Sequence, residues 1–468
     1  MSERIGIITS DPAISAAIYR EILRHTEAKE QTDFVLYSRD LSDVSENVEI
    51  IEGTDSIKPM DVDAVAFPEI EQDVILESDR QKIPLIHNEL LPSIPSEKIE
   101  KIRDHLLNDT VPDDKADRAL YAEVMFDVSL WADALVQFAE KGIDNDHDTK
   151  LIDGINKDVQ DYSNIIIESA IKHKDGFIGL QGGMGPEAGL DAFSYIGDNS
   201  NASIVLDSSA TMPNEAEYIL ELLESGLHNA MKTVDPTDRL VETRERLEAM
   251  NPDCISMQCN TAHFFEEKIE EKANKIDFVH IIEEGLKSIE KKENGETTKL
   301  LLFATTASVN SKIFDDALER IGRDDIEIVT LSNNKASKKP TEILVPDSSE
   351  QDQINSAIWN DILENKSPEE AGKKFQLILD SHPDADGVIM GCTEIKFGME
   401  HVTDSPDIII DNAKAAADKS IEIAEEKGRE RGEVIEKIEK VESKSDLSIK
   451  GSVPYTDLAK SKSSSIGR

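Results

Sequence analysis

Short apolar runs alternate along this chain with longer stretches in which apolar residues recur every third or fourth position. The short runs fall at residues 5–9, 34–37, 64–67, 84–87, 177–180, 203–206, 254–257, 278–282, 300–304, 326–330 and 387–390. Amphipathic stretches lie between them, among them 13–24, 213–226, 311–321 and 352–365. Brief apolar runs rich in Val, Ile, Leu and Phe read as buried strands, and the helical period between them reads as covering helices. Strands alternating with helices in this way predict an α/β fold whose parallel sheets are covered on both faces.

Two stretches break the rhythm. Residues 116–174 read as two long helices, 119–141 and 149–173, around a polar turn at 142–147, and so as a helical connector. A last helix is expected over 412–441. The residues after it, 442–468, are rich in Ser and Lys and poor in apolar side chains, a composition that predicts a disordered tail. The first 115 residues read as an N-terminal α/β region with an internal echo of the later sequence. Ile5-Gly6-Ile7 parallels Ile178-Gly179-Leu180, and the Asp63–Glu69 segment parallels the segment ending at Cys259. In that register Glu69 stands where a later strand ends in a thiol, as a duplicated lobe without its nucleophile would show; generic α/β likeness gives the same echo.

Charge narrows the partners. With 96 acidic and 51 basic residues the net charge is −45. Such a surface repels phosphate backbones and anionic lipid, which argues against nucleic acid and membrane partners. The acid is spread along the chain, which suggests a surface adapted to a salt-rich cytoplasm where screening relieves self-repulsion. No apolar run approaches the roughly 20 residues needed to span a bilayer. Three cysteines and no signal-peptide pattern fit a reducing, cytoplasmic setting.

Two of those cysteines carry the candidate chemistry. One lies in Gln258-Cys259-Asn260-Thr261-Ala262-His263 and the other in Gly391-Cys392-Thr393-Glu394-Ile395, each directly after an apolar run. Two strands that each end in a thiol suggest chemistry between facing thiols. Cys254, at the start of a strand, reads as core. The run Gly182-Gly183-Met184-Gly185-Pro186 also follows a strand. It lacks the Lys-Ser/Thr of a phosphate loop and the third glycine of a dinucleotide fingerprint, so a nucleotide site is not expected. The histidines are too scattered for a metal site.

Together the Gly-Gly-Met-Gly-Pro-Glu-Ala, Cys-Asn-Thr-Ala-His and Gly-Cys-Thr-Glu frames resemble the aspartate/glutamate racemase superfamily, closest to its aspartate racemase branch. The resemblance implies two pseudo-symmetric α/β lobes over 175–430, with the site between them, one cysteine from each lobe, and no cofactor and no metal. It implies that Cys259 and Cys392 are the acid–base pair that removes and returns an α-proton. Gly183, Met184, Ser208, Asn260, Thr261, Thr305, Thr393 and Glu394 would then contact the substrate, an amino acid or small carboxylate. His263 and Lys396 would stand behind them. A homodimer is compatible with the resemblance. The chain departs from the family at Glu215, where an arginine that grips a distal carboxylate is expected, and no Lys or Arg occurs between Lys174 and Lys232. Lys396 either compensates or is a solvated surface lysine. The resulting expectation is a cofactor-independent amino-acid racemase. An isomerase or decarboxylase of small carboxylates, and an inactive racemase-like binding or regulatory protein, remain as alternatives.

Overall fold

A computed structural model describes residues 3–9, 12–24, 32–38, 64–66, many positions between 94 and 135, and residues 175–183, 185–208, 212–225, 232–273, 276–290, 297–331, 339–364 and 367–442. The expected strand at 84–87, the helix at 149–173 and the tail beyond residue 442 lie outside these residues, as does much of the 119–141 helix.

Twelve strands are present among the described residues: β1 (Glu3–Thr9), β2 (Thr32–Ser38), β3 (Ala64–Ala66), β4 (Phe177–Gly182), β5 (Ser203–Ser208), β6 (Cys254–Gln258), β7 (Phe278–Val279), β8 (Thr298–Phe303), β9 (Ile326–Thr330), β10 (Thr341–Val345), β11 (Gly387–Met390) and β12 (Ile408–Asp411). They form two sheets, ordered β3-β1-β2-β5-β4-β6-β7 and β12-β11-β8-β10-β9. All pairings are parallel except one: β2 runs antiparallel to β5, with Leu36 opposite Leu206. Every residue of β4, β5 and β6 is buried, as strands covered by helices on both faces require.

The local order repeats three times. In the second lobe β8 lies between β10 and β11, with β12 outside β11. In the first, β4 lies between β5 and β6, with β7 outside β6; near the N-terminus β1 lies between β2 and β3. The N-terminal strands therefore extend the first lobe's sheet. Leu36, Leu180, Leu206, Leu300 and Ile389 all belong to one apolar cluster. Side chains fasten the junction. Arg20 donates to the carbonyl of Leu106 at 2.6 Å and to Ser194 at 3.1 Å, and Arg103 pairs with Asp198 at 2.9 Å.

The structure corrects several element boundaries. The apolar run at 278–282 is two elements: the strand ends at Val279 and a helix, Ile281–Lys287, begins behind His280, whose Nδ1 accepts from the Glu283 N–H. Buried Ile281 and Ile282 face the core from the helix, so strand and helix shared one apolar run. The expected 311–321 helix begins at Ile313, because Lys312 adopts a left-handed φ of 62° after a short Thr306–Asn310 helix. The 352–365 stretch divides into an α-helix, Ser348–Ser356, and a π-helical turn, Ala357–Glu364. Strands β10 and β12 were not anticipated. Both are short, and each follows a Pro-containing segment that hides the pattern.

The last helix, Asn412–Glu442, crosses back over the first lobe. Its Ser420 carbonyl faces Cys254 Sγ, and Lys427 donates to the Asp253 carbonyl at 2.7 Å. Gly176, at φ +101°, opens β4 against this helix; a Cβ there would lie 2.4 Å from the Ala424 carbonyl oxygen, so only glycine fits. No described helix is long and apolar enough to cross a membrane.

Candidate active site

Strand β6 delivers Cys259 one residue beyond its C-terminal end, and β11 delivers Cys392 two residues beyond its own, after Gly391. The two strands hold the same place in their lobes, so both thiols stand where ligands bind in parallel α/β sheets, outside the carboxyl ends of the strands. The glycine segment after β4 touches both half-sites. A Cβ on Gly183 would lie 2.3 Å from Cys259 Cβ, and one on Gly185 would lie 2.1 Å from Glu394 Oε1. Glycine at these positions lets one backbone segment seat against a thiol of its own lobe and a carboxyl of the other. Met184, between them, lies outside the described residues.

Each thiol has its own glutamate. Cys259 Sγ–H donates to Glu215 Oε2 at 3.1 Å. Cys392 Sγ–H donates to Glu394 Oε2 at 2.9 Å, and the Thr393 hydroxyl donates to the same oxygen at 3.0 Å. Glu215 opens the helix Glu215–Ser225 and is wholly buried; its Oε1 has no hydrogen-bond partner. Burial pushes both thiols well above the ordinary range, and the neighbouring carboxylates push them further. Burial also pushes the Glu215 carboxyl up to about 7; the Glu394 charge adds to this, while the hydrogen bond from Cys259 opposes it. Cys259 also raises the Cys392 thiol, which places the two sulfurs in one electrostatic site.

No lysine or arginine among the described residues pairs with this cluster. The nearby cations are committed elsewhere: Lys396 to Asp191 at 2.7 Å, Arg246 to Asp207 at 2.8 Å, and Arg244 to Glu248 at 3.3 Å. Lys396 thus fastens the Ile395–Met399 helix of one lobe to the Pro186–Asn199 helix of the other. Lys396, expected either behind the substrate or as a surface lysine, makes this inter-lobe ion pair with Asp191.

A hydroxyl cluster closes the lobe junction beside Cys259. Thr261 Oγ1 lies 3.3 Å from Thr305 Oγ1 and 3.1 Å from Ser308 Oγ, and the last two are 2.9 Å apart. Asn260 Oδ1 accepts from Asn412 Nδ2 at 2.9 Å, again across the junction. Asn260 Nδ2 and Ser208 Oγ are buried donors without a hydrogen-bond partner. His263 Nδ1 donates to the Cys259 carbonyl at 2.8 Å, so it fixes the turn rather than touching the sulfur; burial holds its pKa well below the usual value and keeps it neutral. His280 faces Glu266 at 3.0 Å, and Arg320 from the other lobe pairs with Glu283 at 2.8 Å. Cys254 is core, with burial pushing its thiol up to about 12.

Glu215 is the residue that sequence reasoning misjudged. In the sequence it marks only the place of an absent arginine, whereas the fold makes it the partner of Cys259. One signal was available: Glu215 opens an amphipathic helix directly after β5, and a strand-to-helix turn lies at the same carboxyl edge as the thiols.

Among solved structures, an aspartate racemase from Picrophilus torridus is 22% identical, covering 53% of this chain and 94% of that one, with a TM-score of 0.40. An aspartate racemase homologue from Pyrococcus horikoshii is 19% identical, covering 53% of this chain and 99% of that one, with a TM-score of 0.37. The sequence model of the Asp/Glu/hydantoin racemase family matches residues 182–419 and takes in both cysteine frames. Spanning just over half of the 468 residues, that match shows that the chain belongs to the Asp/Glu/hydantoin racemase family.

Proposed function

We propose that the protein is a cofactor-independent amino-acid racemase in which Cys259 and Cys392 exchange the α-proton on opposite faces of the substrate. The observation that carries this reading is the pair of strand-end thiols, each hydrogen-bonded to its own buried glutamate. In one direction the Cys259 proton passes to Glu215, and the resulting thiolate takes the α-proton. The electron pair left on the α-carbon spreads into the substrate carboxylate, and the Cys392 thiol returns a proton to the other face. Reset passes the Glu215 proton out to water and reprotonates Cys392. The opposite direction uses Glu394 and Cys392 first. Raised thiol pKa values suit this role: a more basic thiolate lies nearer the weakly acidic α-proton, and the adjacent carboxylate supplies the route by which it forms.

The hydroxyls of Thr261, Thr305 and Ser308, with the free donors Ser208 Oγ and Asn260 Nδ2, suit a substrate carboxylate that gains charge in the transition state. The N-terminal strands fit a lobe of the same kind, on the shared strand order; Glu69, its thiol-position residue, lies outside the described residues. The test is α-proton exchange in deuterated water, followed with chiral chromatography over a panel of L- and D-amino acids. Cys259→Ser and Cys392→Ser should each slow racemisation by about 10³-fold. Variants that exchange as fast as the parent would overturn the mechanism.

A further inference from the structure

Among the described residues, the two carboxyls at the thiols have no cationic partner. Glu215 is fully buried, gives one oxygen to Cys259, and leaves the other without a partner. Glu394 raises it further by charge. Of the cations on the flanking elements, Lys396, Arg246, Arg244, Arg239 and Lys268 each face a carboxylate of their own. A ligand entering between the thiols therefore meets two acids and no free base among the described residues.

We propose that Glu215 sets the substrate class, admitting amino acids with an uncharged or cationic side chain and rejecting those with a distal carboxylate. This rests on the racemase reading, because that reading puts the substrate α-carbon against both sulfurs. A reacting α-carbon lies roughly 3.5 Å from Cys259 Sγ. Glu215 Oε2 is 3.1 Å from that same sulfur. The α-carbon is thereby held within about 7 Å of the glutamate, and a carboxylate two or three bonds farther out within about 10 Å. A distal carboxylate there would be a further anion in a buried site without a cation. An uncharged side chain adds no such repulsion. An ammonium or guanidinium group finds an unused oxygen, Glu215 Oε1, as its partner.

The experiment compares isosteric pairs, aspartate with asparagine and glutamate with glutamine, together with lysine and ornithine. It measures kcat/KM for exchange on the full-length protein and on Glu215→Gln, with binding read separately by calorimetry. At pH 8.5, where Glu215 is ionised, two unit charges about 10 Å apart at an effective dielectric near 20 correspond to a bias on the order of 15-fold against the acidic member of each pair. In Glu215→Gln the rates for both members fall with the lost proton route, but their ratio should shrink toward a few-fold. Aspartate turned over as fast as asparagine by the parent, or a ratio unchanged in the variant, would overturn the proposal. Exchange of no amino acid at all would overturn the racemase reading. The charge class is then decided by calorimetry, where aspartate binding as tightly as asparagine, or neither binding, overturns it. A variant that fails to fold leaves the parent's ranking decisive.

Discussion

At the scale of single residues, Glu215 is a costly choice. Its carboxyl is pushed up to about 7 from an ordinary 4.5, so the native protein holds a proton that the unfolded chain releases across this interval. With the folded value raised, the native state is penalised progressively as pH rises from about 4.5 through 7, and fully above 7. Glu215→Gln keeps the shape and an acceptor for Cys259 but removes the charge. It should stabilise the protein by on the order of 3 kcal/mol at pH 8.5 and by little at pH 5. Denaturant midpoints at the two pH values check this, and an equal change at both would refute the assignment. Stability lost to a catalytic or specificity requirement is the expected pattern at a functional site. The thiols were legible in the sequence because each frame is one contiguous strand-to-turn segment. The partnership of Cys259 with Glu215 was not, because 44 residues separate them and only the sheet brings their ends together.

At the scale of elements, the antiparallel β2–β5 pairing decides how the N-terminal region is used. Leu36 and Leu206 face each other at its centre and are both fully buried. Leu36→Ala should destabilise the protein by about 2–4 kcal/mol, the usual range for a buried leucine. If the seven-stranded sheet is one cooperative unit, thermal unfolding followed by circular dichroism remains a single transition at a lower midpoint. A variant that melts the N-terminal strands alone, leaving the main transition in place, would show that the pairing is peripheral. Sequence periodicity found most strands because their faces are uniformly apolar. It missed β10, which opens on Thr341 and Glu342, and β12, which closes on Asp411, both near Pro, and it merged β7 with the following helix because one apolar run served both.

At the scale of the whole molecule, the net charge of −45 outweighs any single ion pair. Individual surface pairs such as Lys414–Asp418 contribute little each, while the summed self-repulsion of the acidic surface falls with ionic strength. The melting temperature should therefore rise by about 5 °C or more between dilute buffer and molar KCl. Scanning calorimetry at fixed pH tests this, and equal midpoints would remove the case for adaptation to a salt-rich interior. The same field bears on function: it disfavours anionic ligands at long range, in the same sense as Glu215 does at contact.

The sequence by itself determined the α/β class, the strand-end thiols at Cys259 and Cys392 and the missing arginine, because these depend on local periodicity and on contiguous frames. Tertiary structure alone decided that Glu215 reaches Cys259, that Lys396 is committed to Asp191, and that β2 closes on β5. Each of these joins elements distant in the chain. Whether a charge is paired, buried or free is a property of what the fold packs around it, which no run of neighbouring residues records.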